Sequence, residues 1–533
     1  MKPGKGAVST ANFLFVDYQK DDPRDAAMHK EKLLFTQRNY QRKKKLAAVE
    51  RLKASSKISR QRLPFKYIPT DTPNESETDR DSSTPRADTD QSRQAWQMAR
   101  MAELWSPKTY LGQGFVDPFS TVAVPMTETM NSYFHHLRNH TIQGSYPLDS
   151  PRMKIWWWQQ AISQPAIQQA LLWSAASHQI ALNTLNNVSP QSEEHSTWEL
   201  LRLRGDTIKT LNTVLQDPHA VAESTILIVA SLRAIEAISA SFEGVAAHNK
   251  GLETLINLAG GLDFLDHLTL SKIYHGDIMS AALHNSRPIL PLIPRWRSEI
   301  LQETKVFESN DFLSQLNDRP GVVAELSSLG KSFLQSPWFL KLDPSMTTFL
   351  RVFQRLIQYY EAAKVKPSMT MPTDNDLFVV FEHQLVSITY TAANNLEEAL
   401  RLCLLIYLNM RVWHFQNFPI MQHMVEALRQ NLMAGTIITH FKDTDPTLLF
   451  WVLFIGGMAS LRHNGHLWFV AHLTKITNYL GISDWASARE ILGGFFYTDQ
   501  PDEKGGEDLW SEVLVKGHYS YIAPFPSFEV SIL

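Results

Sequence analysis

His136 and His140, in the stretch His135-His136-Leu137-Arg138-Asn139-His140, are the chain's best approach to a metal-ligand pair. On an α-helix a spacing of four puts both imidazoles on one face, as a zinc site would need. No acid or cysteine stands nearby as a third ligand and Arg138 lies between them, so the stretch reads as the polar face of an ordinary helix. No metal and no cofactor are expected. Trp156-Trp157-Trp158 offers ring surface for ligand stacking, but three consecutive indoles cannot share a helical face. Two are expected to pack inward and one to lie at the rim. Arg233 and Glu236 stand three apart inside a long apolar run, where an unpaired charge would be costly. They are expected to form a structural ion pair, with a polar anchor in a small-molecule pocket as the alternative. The chain has no Gly-rich phosphate loop, no nucleophile-elbow pentapeptide and no His-Glu-x-x-His. No catalytic residue is assigned, and the chain reads as a non-enzyme.

A second kind of chemistry, recognition of phosphates or of a receptor for basic peptides, is concentrated near the start. Between Met28 and Lys66 there are 13 Lys and Arg against two acids, Glu31 and Glu50, a net charge of +11. The residues after Lys66 carry 34 basic and 48 acidic side chains, a net charge of −14. The near-neutral total of −3 therefore hides a cationic arm ahead of an anionic remainder. Arg42-Lys43-Lys44-Lys45 at its centre is the pattern a nuclear import receptor reads. The same arm, as a basic helix in the major groove, could place Arg38, Arg42, Lys43, Lys44, Lys45, Arg51 and Lys53 on phosphates and Asn39 or Gln37 on a base edge. The seven cations and Asn39 are the candidate nuclear-localisation and DNA-binding residues. A basic leucine zipper would need an apolar heptad seam to follow. Leu46, Val49 and Leu52 are spaced by three, and Lys53 and Ser59 occupy the positions where the seam should continue.

The elements around these residues follow from pattern. A length of 533 residues exceeds what a single growing core usually holds. The only cysteine, Cys403, sits in an apolar run and is expected to be buried, which leaves no disulfide framework and no Cys-based zinc cluster. No apolar run suits a secretory signal, and the longest, Thr447 to Ala459, is shorter than the roughly 20 residues of a spanning helix and is interrupted by Gly456-Gly457. A soluble, intracellular protein without a membrane partner is expected. Four zones emerge: a short polar N-terminus (1–27), the basic arm (28–66), a Ser/Thr/Asp/Glu/Pro-rich stretch expected to be a disordered linker (67–103), and a helical body (104–533). Within the body, Ser150-Pro151 is expected to open a helix, with Ser as cap. Leu201, Ile208, Leu211 and Leu215 define one apolar helix face, and Ile226 to Ile238 predicts a central buried helix. His248 to Ala259 predicts a helix ended by Gly260-Gly261. Further helices are predicted at Met346–Lys364, Leu377–Ala393, Leu396–Met410, Met421–Met433, Leu448–Leu461 and Leu467–Leu480. Strand signals are scarce, so the fold class is all-α.

A family pattern runs through the N-terminal half. Phe13-Leu14-Phe15-Val16, Gln37-Arg38-Asn39-Tyr40-Gln41-Arg42-Lys43-Lys44-Lys45 and Gly112-Gln113-Gly114-Phe115-Val116-Asp117-Pro118-Phe119 come first. Leu171-Leu172-Trp173-Ser174-Ala175-Ala176-Ser177-His178, His248-Asn249-Lys250-Gly251-Leu252-Glu253 and Leu258-Ala259-Gly260-Gly261-Leu262 follow. In this order they resemble fungal-specific transcription factor-like proteins. The resemblance implies an α-helical regulatory domain of the kind found behind the six-cysteine binuclear zinc cluster of fungal activators. One cysteine cannot build that cluster, so the chain looks like the zinc-less branch, in which a basic segment replaces it. It also departs from that branch, with Leu33-Leu34-Phe35-Thr36 where an Arg-Ser-His-Val-like stretch often stands. The expected function is a nuclear transcriptional regulator, in this family often of secondary-metabolite gene clusters. Its expected partners are an import receptor, DNA, and transcription machinery or co-regulators. The alternative is a nuclear interaction protein without DNA affinity of its own. The sequence is silent on oligomeric state.

Overall fold

A computed structural model describes residues 126–185, 193–216, 222–307, 312–390, 395–434, 437–498 and 505–522. All of them fall within one of the chain's two compact units, Ala95–Leu533. The basic arm, its eight candidate residues, the expected linker and the boundary near residue 104 lie outside the described residues.

Among the described residues the structure is helical, with no strand. It opens with α1 (Glu128–His136), a single π-turn (Leu137–Thr141) and the short α2 (Ile142–Ser145). Then come α3 (Ser150–Ser163), α4 (Pro165–Leu185), α5 (Glu193–Leu215), α6 (Glu223–Ile238), α7 (Phe242–Leu258), α8 (His267–His284) and α9 (Pro294–Glu303). The middle holds α10 (Pro320–Ser328), α11 (Lys331–Leu334), α12 (Pro344–Val365) and α13 (Asp374–Ser387). The last group is α14 (Asn395–Arg411), α15 (Pro419–Met433), α16 (Ile437–Thr444), α17 (Pro446–Ala459), α18 (His466–Leu480), α19 (Trp485–Gly494) and α20 (Gly505–Ile522).

Two helices organise the packing. α6 is buried along nearly its whole length, and α4, α5, α7, α8 and α15 pack around it. α17 plays the same part farther along the chain, enclosed by α14, α15, α16, α18, α19 and α20. Both read as continuous apolar runs because no face is left for water. α8 joins the two groups by packing on α6, α13 and α15, and one hydrophobic cluster runs through all of them.

Local chemistry fixes the ends. Asp343-Pro344 and Asp445-Pro446 start α12 and α17, each Asp accepting from the backbone amide two residues on and each Pro filling the first turn. α7 ends as expected: Gly260 and Gly261 take φ of 91° and 113°, and the Gly261 amide donates to the Ile256 carbonyl at 2.9 Å. Cys403 is buried, and no described helix is long and apolar enough to cross a membrane.

Several expectations shift. The cap of α3 is Asp149 rather than Ser150. α7 begins at Phe242, ahead of His248. α13 stops at Ser387, well before Ala393. On α5 the expected apolar face is only partly the buried one. Leu211 is buried and Ile208 half-buried, but Leu201 is 62 % exposed and Leu215 41 %, and Leu203 and Thr207 complete the face toward the core. Thr207 can do so because its hydroxyl donates to the Leu203 carbonyl at 2.7 Å, leaving no bare donor in the interior.

Candidate functional site

The segment that carried the histidine pair is also where the backbone departs from α-geometry. The π-turn Leu137–Thr141 inserts a residue into the helix, a distortion commonly found at functional sites. It leaves His136 and His140 still facing each other, ring centres 5.0 Å apart. A third imidazole joins them from α4, with His178 Nδ1 2.9 Å from His136 Nε2 and 3.3 Å from the Thr141 hydroxyl. Even so, no group of three His, Cys, Asp or Glu among the described residues has metal-binding geometry. Burial, reinforced by the neighbouring imidazoles, pushes His136 down to about 3 and His178 to about 4, so both are neutral near pH 7.

Behind this cluster lies a cavity of about 40 Å³. The π-turn and α2 bring Thr141 and Ser145 to it, α4 brings Ser174 and His178, and α8 brings Lys272 and His275. Its remaining wall is apolar, with Ile235 and Ile238 of α6, Met279 of α8, and Phe415 and Phe418 of the turn after α14. His275 is 5 % exposed, lies against the Trp413 ring at 4.6 Å, and its Nε2 has no hydrogen-bond partner. Burial, then Lys272, hold its pKa down at about 3. The half-buried Lys272 makes no ion pair among the described residues; its ammonium lies 6.0 Å from the centre of the Trp157 ring, at the outer limit of a cation–π contact. Burial, then the charge of Arg233, lower Lys272 to about 8. It therefore remains mostly protonated at pH 7, in a cavity whose lining contains no carboxylate.

Next to this cavity runs a wider apolar groove of about 340 Å³. Phe134, Trp157 and Trp158 line it, with Arg138 and Lys154 at its edges. The Trp triplet divides as expected: Trp157 is buried, Trp156 packs partly buried against the core, and Trp158 sits at the rim. Arg233 and Glu236 do not pair with each other. Arg233, fully buried, reaches Asp277 of α8 at 3.2 Å and donates to the Ile273 carbonyl at 2.6 Å. Glu236 instead accepts from Arg204 of α5 at 2.7 Å. Three residues along a helix turn the two side chains about 60° apart, enough to meet different neighbours. Because Asp277 already balances Arg233, the charge left over in this region is that of Lys272.

Among the described residues two Ser/His/acid constellations occur, and neither presents a nucleophile. Asp376 lies between Ser271 and His267, accepting from both, so the serine has no base beside it. Ser460 contacts His466 at 3.0 Å, and His466 contacts Glu512 at 2.9 Å. Ser460 is, however, fully buried and its hydroxyl donates to the Gly457 carbonyl.

Sequence reasoning passed over Lys272 and His275. The available signal was two basic side chains three apart in Ser271-Lys272-Ile273-Tyr274-His275-Gly276, among residues that are otherwise mostly apolar. α8 is buried on nearly all sides, so it shows no amphipathic stripe against which they would stand out. No family model, no curated protein and no solved structure matches the chain.

Proposed function

We propose that this protein is a nuclear transcriptional regulator, with residues 28–66 as its import and DNA-contacting arm and the helical body as its effector-sensing and co-regulator-binding module. The observation that carries the reading is the segregation of charge, +11 in the arm against −14 in all that follows. Solubility needs no run of four adjacent cations with further cations on both sides, whereas an import receptor or a phosphate backbone does. A body built of helices around a small polar cavity suits a sensor, because a ligand there touches α2, α4 and α8 at once.

A protein of 60.8 kDa needs an active signal to accumulate in the nucleus. Tagged full-length protein is expected to be nuclear, and the quadruple replacement of Arg42, Lys43, Lys44 and Lys45 by Ala is expected to leave it cytoplasmic. Fluorescence microscopy of the two proteins checks this. An unchanged nuclear signal in the variant removes the import role from the arm.

A further inference from the structure

The cavity between α2, α4 and α8 has a buried polar atom that no described residue satisfies: His275 Nε2 is enclosed and has no hydrogen-bond partner. His178, Ser145, Ser174 and the half-buried Lys272 line the same cavity. A buried polar group without a partner destabilises the fold, so native interiors rarely leave one facing a cavity.

We propose that this cavity binds a small carboxylate, of the size of formate or acetate, beside Met279, Phe415 and Phe418. Three properties of the lining select that class. The first is charge: the site holds one ammonium and no carboxylate, so the missing partner is an anion. The second is hydrogen bonding, since ammonium, imidazole and hydroxyl can all donate toward an oxygen acceptor. The third is size. A water needs roughly 10–15 Å³ by the same measure, so 40 Å³ admits about three heavy atoms, the size of a carboxylate. A nucleotide or a sugar phosphate is too large, and a water molecule would leave the ammonium without a counter-charge. The apolar wall sits beside these donors, which favours a carboxylate carrying at most a methyl group over a bare inorganic ion.

The proposal names the effector class for the sensing role given above and rests on that reading only for its biological meaning; binding itself requires no DNA and no nucleus. Bridging Lys272 to Ser145 and Ser174 would tie α8 to α2 and α4, a route by which occupancy could alter the outer surface.

Isothermal titration of the full-length protein with sodium formate, acetate and phenylacetate, against sodium sulfate and chloride at matched ionic strength, tests the site. One formate or acetate per chain is expected to bind and to raise the thermal midpoint, while phenylacetate, too large for the cavity, and sulfate give no saturable heat. Lys272→Met keeps the apolar stem and removes the charge, so it should fold and lose at least tenfold in affinity. Should that variant fail to fold, Ser174→Ala removes one charge-assisted hydrogen bond and should cost about tenfold. Three results would each overturn the assignment: no formate or acetate binding, binding indifferent to the folded variants, or sulfate binding as tightly as acetate. None of them bears on nuclear import, and a cytoplasmic wild-type protein would not bear on carboxylate binding, so the two readings fail separately.

Discussion

Glu382 shows how one side chain sets a condition on the whole fold. It is fully buried on α13, accepts from the Trp413 indole at 2.7 Å and the Asn409 amide at 2.8 Å, and has no cationic partner among the described residues. Burial outweighs these two hydrogen bonds and lifts its carboxyl from 4.5 to about 7. In the folded chain the proton is therefore retained between pH 4.5 and about 7, where the unfolded chain has lost it. The stabilisation from this group is complete below 4.5 and is lost as pH rises through about 7. Glu382→Gln holds the neutral form at every pH. Its stability relative to wild type should be level near pH 4 and rise to an advantage of about 3 kcal/mol by pH 8. Urea unfolding at four pH values reads this out, and an advantage independent of pH would contradict it. A carboxylate inside an apolar helix can be seen in the sequence, but whether it meets an arginine or an indole depends on which helix lies opposite. Arg233 and Glu236 make the same point: their burial was legible, their partners were not.

At the level of elements, legibility depended on whether a helix has a wet face or a marked end. α12, α15, α17 and α18 were anticipated to within a few residues because they are long, apolar and punctuated by Pro or Gly, and α14 because its apolar run is long. α8 was missed: it is as buried as α6, but Lys272, His275, Asp277 and Ser280 break up the apolar run that marked α6. On α5 the two ends of the apolar stripe, Leu201 and Leu215, proved to face outward, and the cavity-lining π-turn leaves no compositional mark at all. The glycines of α17 show why context decides. A Cβ on Gly456 would lie 2.8 Å from Cδ1 and Cζ of the Phe469 ring on α18, and one on Gly457 would lie 2.9 Å from Leu509 of α20. Gly205, in the middle of α5, is exposed and would meet nothing within 4 Å. The same substitution should therefore have opposite signs. Gly205→Ala is expected to stabilise by about 1 kcal/mol through helix propensity. Gly456→Ala is expected to destabilise by on the order of 1–3 kcal/mol through overpacking. Chemical denaturation of the two variants compares them directly, and equal signs would mean that α17 and α18 are less closely apposed than described.

For the whole molecule, the decisive quantity is the opposition between a +11 segment and a −14 remainder. At low salt that remainder repels a duplex while the arm attracts it. Release of counterions from the phosphates that the arm neutralises then governs affinity. If Arg38, Arg42, Lys43, Lys44, Lys45, Arg51 and Lys53 supply phosphate contacts, each one lost should reduce the slope of log affinity against log salt by about 0.9. Replacing Lys43, Lys44 and Lys45 by Ala should therefore flatten the slope by about 2.7 and weaken binding to all sequences alike. Asn39→Ala, on a side chain assigned to a base edge, should leave the slope unchanged and narrow the difference between preferred and random duplexes. Fluorescence anisotropy of the full-length protein with labelled duplex at two or more salt concentrations measures both effects. Absence of binding even at low salt would transfer the arm's role to import alone. The helical body would then act as a co-regulator recruited by other DNA-bound proteins, because an anionic surface with no cationic arm on DNA cannot hold a duplex by electrostatics.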